Sequence, residues 1–155
     1  MKDPQPGQPR YNDHVPDRQR PPGYVSDIHE IVDRVFVYGT LRSGQAARSL
    51  IENHVVRAEP ATIQGHIYAF PLGFPGLVDG DGVVQGEIMW LTDLAASLAL
   101  LDAYEGEEFQ RVLKKVHRQS GDEWAWCYIL VDPSTVTLGE RISDGDWIKY
   151  CATRG

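Results

Sequence analysis

Two cysteines among 155 residues are too few for a disulfide scaffold. Cys127 sits in an apolar stretch and Cys151 near the carboxyl terminus, without the spacing of a metal site, so both read as reduced packing residues and no metal is expected. Cationic surplus is lacking as well: 15 Lys and Arg against 22 Asp and Glu leave a formal charge of -7. That charge opposes a polyanion, and no basic stripe with interleaved aromatics offsets it, which argues against nucleic acid as a partner. No apolar run is long enough to span a bilayer, and prolines and charges stand where a signal peptide needs its hydrophobic region. The expectation is a soluble cytoplasmic protein with no membrane partner. Nucleotide motifs are incomplete: Gly39 and Gly44 have the spacing of a phosphate-binding loop, but Gln45-Ala46 replaces the required Lys-Ser/Thr and no G-x-G-x-x-G occurs. There is no evident Ser-His-Asp or Cys-His set for covalent catalysis, and no internal repeat.

What is present suffices for one core: 42% hydrophobic residues with four tryptophans fit a single domain. Pro4, Pro6, Pro9, Pro16, Pro21 and Pro22 crowd the first 30 residues, where aliphatics are sparse. Such a segment cannot repay the entropy of ordering, so a disordered Pro-rich tail over 1–30 and a folded domain over 31–155 are expected.

The most informative stretch is Val35-Phe36-Val37-Tyr38-Gly39-Thr40-Leu41-Arg42-Ser43-Gly44. A β-branched and aromatic run ends in a glycine, a polar loop follows, and helix-compatible residues come next. That reads as strand, loop, helix, with loop N–H groups and a helix dipole forming an anion site. Ser49–Val56 reads as a short helix and Thr62–Phe70 as a strand with Gly65 at a bulge. Pro71–Gly76 reads as a rigid loop able to wall a pocket, and Asp79-Gly80-Asp81-Gly82 as a hairpin turn feeding a strand over Val83–Leu91. Thr92 or Asp93 caps a helix with Leu94, Leu98 and Leu101 on one stripe, ended by Gly106. Glu105, four residues beyond Leu101, continues that stripe inward, whereas Glu107 and Glu108 fall in the following turn. A carboxyl stripped of water at a helix's negative end gains affinity for a proton and is a candidate proton carrier; pairing with Arg111 is the competing reading. Val112–Arg118 and Trp124–Val131 read as strands, and Ile142–Ile148 as a turn with a closing aromatic. Many strands, two modest helices and no βαβ alternation argue for a mixed α+β domain or a small, partly closed barrel. His66 stands alone on its strand, without ligand-spaced partners.

Val35–Leu41, Gly73–Gly76, Val84–Glu87, Leu101–Gly106 with Arg111, and Gly145-Asp146-Trp147, in that order, resemble the γ-glutamylcyclotransferase-like superfamily, including its AIG2-like and γ-glutamylamine cyclotransferase branches. The similarity covers about residues 34–150, with Phe109 where the family often has Tyr and Ala46-Ala47 where polar residues are common. The resemblance implies an α+β fold with flanking helices around a small β-barrel. It further implies substrate binding by Tyr38, Gly39, Thr40 and Leu41, catalysis by Glu105, and pocket lining by Tyr128 by analogy with a strand tyrosine. In the implied reaction a γ-glutamyl amine or dipeptide closes on itself to 5-oxoproline. The substrate's own α-amine attacks, so no enzyme nucleophile, metal or cofactor is called for; a base, a proton donor and oxyanion donors are. A catalytically inactive, carboxylate-binding module of the same fold and a related amide hydrolase or acyltransferase stand as alternatives. The leaving amine, any partner besides a small-molecule substrate, and the oligomeric state are not encoded legibly.

Overall fold

The computed structural model of the protein describes residues 21–25 and 30–154. Of the expected tail over 1–30, residues 1–20 and 26–29 lie outside them. Residues 21–25 contribute a short strand β1 (Tyr24–Val25) that pairs antiparallel with β2 (Glu30–Ile31), and the Val32 N–H donates to Gly23 O at 3.1 Å. Residues 21–25 and 30 thus lie inside the stretch read as a tail.

Two long strands dominate. β4 (Val55–Ala69) and β5 (Pro75–Leu91) form an antiparallel hairpin whose reversal is at Phe70–Phe74, where Phe70 N–H donates to Phe74 O at 3.0 Å and Gly73 N–H to Phe70 O at 2.9 Å. The turn expected at Asp79–Gly82 is instead a bulge inside β5: Gln64 pairs with Val83 but His66 with Val78. Its glycines accommodate an imidazole. A Cβ on Gly80 would lie 2.1 Å from His66 Cδ2, and one on Gly82 2.8 Å from Gly65 O. Asp81 Oδ1 stands 3.1 Å from His66 Nε2, and Arg141 donates to Nδ1 at 3.0 Å.

β3 (Arg34–Val37) lies between β5, antiparallel with Val35 opposite Met89, and β7 (Gly121–Leu130), parallel with Val35 opposite Trp126. β6 (Phe109–Arg118) pairs with β7 along its whole length and touches β4 at Thr62 and His117. The circuit β5-β3-β7-β6-β4 thus returns to β5, with β6–β4 its thinnest seam; β8 (Glu140–Arg141) extends the far end of β4. This is the expected α+β fold with a small, partly closed barrel.

Strand alternation divides the core. Phe36, Ile63, Ile88, Val116 and Cys127 pack within the ring. Val35, Met89 and Trp126 face outward and are covered by Leu98 and Leu101 of α1 (Leu94–Glu105) together with Ile51. Each such buried side chain contributes about 1.5 to 3 kcal/mol. Both cysteines are free, Cys127 buried and Cys151 half-buried.

The helix α1 starts without a side-chain cap. Asp93 stands at its N-cap position at φ 49, and Ser97 Oγ donates to Thr92 O at 2.7 Å, which ties the first turn to the preceding residue but accepts from none of the leading N–H groups. Gly106, at φ 75, ends the helix by donating to Asp102 O at 3.1 Å, a left-handed turn that L side chains resist. The helix expected over Ser49–Val56 is two 3₁₀ turns, Arg48–Leu50 and Glu52–His54, because β4 already begins at Val55. The end of the turn expected over 142–148 is already helical: α2 (Trp147–Arg154) begins there, with Asp146 accepting from the Ile148 and Lys149 N–H groups at 3.1 and 3.3 Å. Among the described residues no helix is long and apolar enough to cross a membrane.

Candidate active site

A cavity of about 290 Å³ opens where the loop after β3, the Phe70–Phe74 reversal and the end of α1 converge. Tyr38, Gly39, Thr40, Leu41, Glu105 and Tyr128 all line it. Phe74 and Pro75 form one wall, which gives the Pro71–Gly76 loop the pocket-wall position read from its composition.

The loop spends its carbonyls internally. Arg42 N–H donates to Gly39 O at 3.1 Å, and Ala47 N–H to Thr40 O at 2.9 Å. Among the described residues, no acceptor meets the N–H groups of Gly39, Thr40 or Leu41. Three such donors at a cavity wall suit a carboxylate or a developing oxyanion. No α-helix stands behind them: Gln45 N–H donates to Arg42 O and Arg48 N–H to Gln45 O, turning the chain too tightly for the expected helix. The helix-dipole contribution drops out, which leaves the loop amides as the groups suited to an anion.

Four ionic and polar contacts fix the loop. Glu87, on β5, accepts from Ser43 N–H at 2.8 Å and Ser43 Oγ at 2.9 Å, and pairs with Arg48 at 3.0 Å. Arg42 pairs with Asp146 at 3.0 Å. Gly145 lets that corner approach the barrel, since a Cβ there would lie 1.9 Å from Val83 O, and its carbonyl accepts from Gln85 N–H at 2.9 Å. Gly39 has a different constraint: a Cβ would lie 2.6 Å from Pro75 Cγ. Its glycine is required by the wall of the cavity, while its φ is ordinary.

On the opposite side Glu105 continues the Leu94–Leu98–Leu101 stripe and is half-buried. Loss of hydration raises its carboxyl from 4.5 to about 7. Arg111 does not neutralise it: the guanidinium binds Asp102 instead, Nε to Oδ1 at 2.9 Å and Nη2 to Oδ2 at 3.2 Å. Among the described residues Glu105 has neither an ion pair nor a hydrogen-bond partner for its carboxylate. Asp102 also accepts from Tyr128 Oη at 2.5 Å, and the Tyr38 hydroxyl donates to Tyr128 O at 2.8 Å. Burial pushes both phenols up, and the Glu105 charge adds to each. Both phenols therefore hold their protons more tightly than a free tyrosine does.

Glu107 and Glu108 are exposed as expected, but Glu108 also lines the cavity mouth, with Tyr104 and Phe109 beside it. Tyr104 Oη and Thr40 Oγ1 share a hydrogen bond of 2.8 Å across that mouth. Sequence reading missed Tyr104, Asp102 and the anchoring role of Glu87 and Asp146. Val84–Glu87 and Gly145–Trp147 were visible as motifs, but only the register of Val37 opposite Glu87 shows why a carboxylate stands beside the loop.

The family model described as gamma-glutamyl cyclotransferase, AIG2-like, matches residues 35–149. The chain is 34% identical over 119 residues to the γ-glutamylcyclotransferase family protein ytfP of Citrobacter rodentium, covering 74% of this chain and 95% of that protein. It is 28% identical over 124 residues to the γ-L-glutamyl-butirosin B γ-glutamyl cyclotransferase of Niallia circulans, covering 75% of this chain and 76% of that one. Its fold resembles the crystal structure of an AIG2-like protein from Mus musculus, with a TM-score of 0.56 at 22% identity, over 72% of this chain and 86% of that one.

Proposed function

This chain belongs to the γ-glutamyl cyclotransferase family of AIG2-like type, and from that premise we propose that it releases 5-oxoproline from a γ-glutamyl amine or dipeptide, with Glu105 as acid and base. The observation that carries the proposal is the unpaired Glu105 carboxyl, raised to about 7, facing a cavity whose other wall bears the three N–H groups of Gly39, Thr40 and Leu41.

The substrate's α-carboxylate sits on loop N–H groups, and its chain folds back so that the α-nitrogen meets the side-chain carbonyl carbon. Glu105 takes a proton from the α-ammonium, and the freed lone pair attacks. A C–N bond forms, the carbonyl oxygen becomes an oxyanion, and the bond to the leaving nitrogen then breaks. Of the three ammonium hydrogens one stays on the lactam and two pass to the leaving amine, so no net proton is consumed. A carboxyl near 7 is suited to both accepting and returning a proton at neutral pH. Because the attack is intramolecular, holding the folded-back conformer contributes at most about 7 to 11 kcal/mol of the barrier.

The test is a panel of γ-glutamyl amines and dipeptides scored by mass spectrometry. 5-Oxoproline in step with the free amine is the expected product. Glutamate instead would indicate a hydrolase, and binding without any product would leave a carboxylate-binding module.

A further inference from the structure

The charge of the cavity has a direction. Its buried end is formed by Tyr38, Leu41 and Tyr128, with the free loop N–H groups beside them; its exposed end by Tyr104 and Glu108, with the half-buried Phe109. A γ-glutamyl head seeking amide donors goes to the buried end, so the leaving group extends to the mouth. Among the described residues two carboxylates, Glu105 and Glu108, line this cavity, and no Lys, Arg or His does. Two arginines close to the cavity's residues in sequence are engaged elsewhere: Arg42 with Asp146, Arg111 with Asp102. Glu108 has no ion-pair partner among the described residues. Phe74 and Phe109 meet edge to face at 6.1 Å and supply an apolar wall leading to that carboxylate.

From this arrangement we infer that the leaving group is an amine with a hydrocarbon stem and a second positive charge, which Glu108 receives at the mouth, and that amino acids bearing a carboxylate there are disfavoured. The inference rests on the cyclotransferase reading and deepens it. A stem packs on Phe74 and Phe109, and the distal ammonium reaches Glu108. A carboxylate at that point finds no cation among the described cavity-lining residues and faces the Glu108 carboxylate. Only the α-carboxylate has donors to meet it, and those are the loop amides at the other end.

Three γ-glutamyl conjugates of one length test this: those of diaminobutane, pentylamine and aminopentanoate, which end the same stem in ammonium, methyl or carboxylate. The ammonium compound should exceed the methyl one in kcat/KM by about three- to tenfold, as for one partly screened charge pair, and the carboxylate compound should be the poorest. The ammonium-to-methyl ratio should fall toward one in Glu108→Gln and with added salt. Equal kcat/KM for the ammonium and methyl compounds, or a ratio unaltered by Glu108→Gln, overturns the inference even if 5-oxoproline forms. Calorimetric affinities of the three for Glu105→Gln separate the two failures. The same ranking in binding, with no 5-oxoproline from the wild type, supports the charge preference while ending the cyclotransferase reading. No ranking in binding or in turnover overturns the inference.

Discussion

Glu87 grips Ser43 twice, accepting from its N–H at 2.8 Å and its hydroxyl at 2.9 Å, while also pairing with Arg48 at 3.0 Å. Both partners of the Glu87–Arg48 pair are largely buried, with side chains 13% and 10% exposed. Removing Glu87 ends this pair and both Ser43 bonds, while Arg48 keeps its salt bridge to Glu52 at 2.5 Å. Glu87→Ala should therefore destabilise the fold by about 1.5 to 3 kcal/mol, the range for losing hydrogen bonds to a charged group, as read from urea denaturation. Because the loop itself loosens, KM should rise more than kcat falls. A variant of wild-type stability and KM would show that the loop holds its shape without this anchor.

Glu105→Gln keeps the shape of the side chain but cannot exchange a proton near neutral pH. Turnover should drop by about a hundred- to ten-thousandfold, the usual range for losing a general acid or base, with 5-oxoproline still bound. In the wild type kcat/KM should rise with pH through about 7, where the buried carboxyl ionises. Glu107→Gln is the control, because Glu107 is exposed and lies outside the cavity lining. Equal losses at Glu105 and Glu107 would point to a general charge effect.

The same carboxyl leaves a mark on stability. Its value is raised on folding from 4.5 to about 7, so the unfolded chain ionises first and the folded state is penalised as pH rises. The penalty is absent below about 4.5, grows up to about 7 and is constant above, reaching about 3 kcal/mol. Glu105→Gln should be more stable than the wild type at pH 8 by up to that amount and equally stable at pH 4. Denaturation curves of the two proteins at both values measure it. A gap independent of pH would mean that ionisation of Glu105 is not what strains the fold.

Much of this was legible because the residues carry local signals. The β-branched run ending at Gly39, the leucine stripe of α1 and the stop at Gly106 depend on side-chain periodicity and backbone freedom, so the inward aim of Glu105 followed from counting. Long-range register was not legible. Asp79–Gly82 has the composition of a hairpin turn, yet its glycines make room for His66, fifteen residues from Asp81 along the chain. Likewise, Arg111 was near enough in sequence to pair with Glu105 or Asp102. Only the path of β6 beside β7, which brings Arg111 opposite Tyr128, decides for Asp102. Ser49–Val56 failed for a related reason: its helix propensity is overridden by β4, whose pairing with β5 begins at Val55.

Gly39 offers the sharpest test of what shapes the cavity. Sequence alone suggests that a side chain there obstructs the backbone conformation and the approach of a carboxylate. The backbone conformation is an ordinary one, and the nearest obstacle to a Cβ is the ring of Pro75, 2.6 Å away at Cγ. Pro75 is itself buried and lines the cavity, so an alanine at 39 must push that wall or shift the loop. Overpacking of this kind costs about 1 to 3 kcal/mol, and Gly39→Ala should raise KM by about tenfold or more. If the proline ring is the cause, Pro75→Ala in the same chain should recover most of that loss, giving strong coupling in a double-mutant cycle. If instead the carboxylate needs bare backbone at Gly39, the second substitution will not help and the two effects will add. Steady-state kinetics on the four proteins, with melting temperatures to exclude unfolding, decide between a wall set by Pro75 and a binding surface set by Gly39 itself.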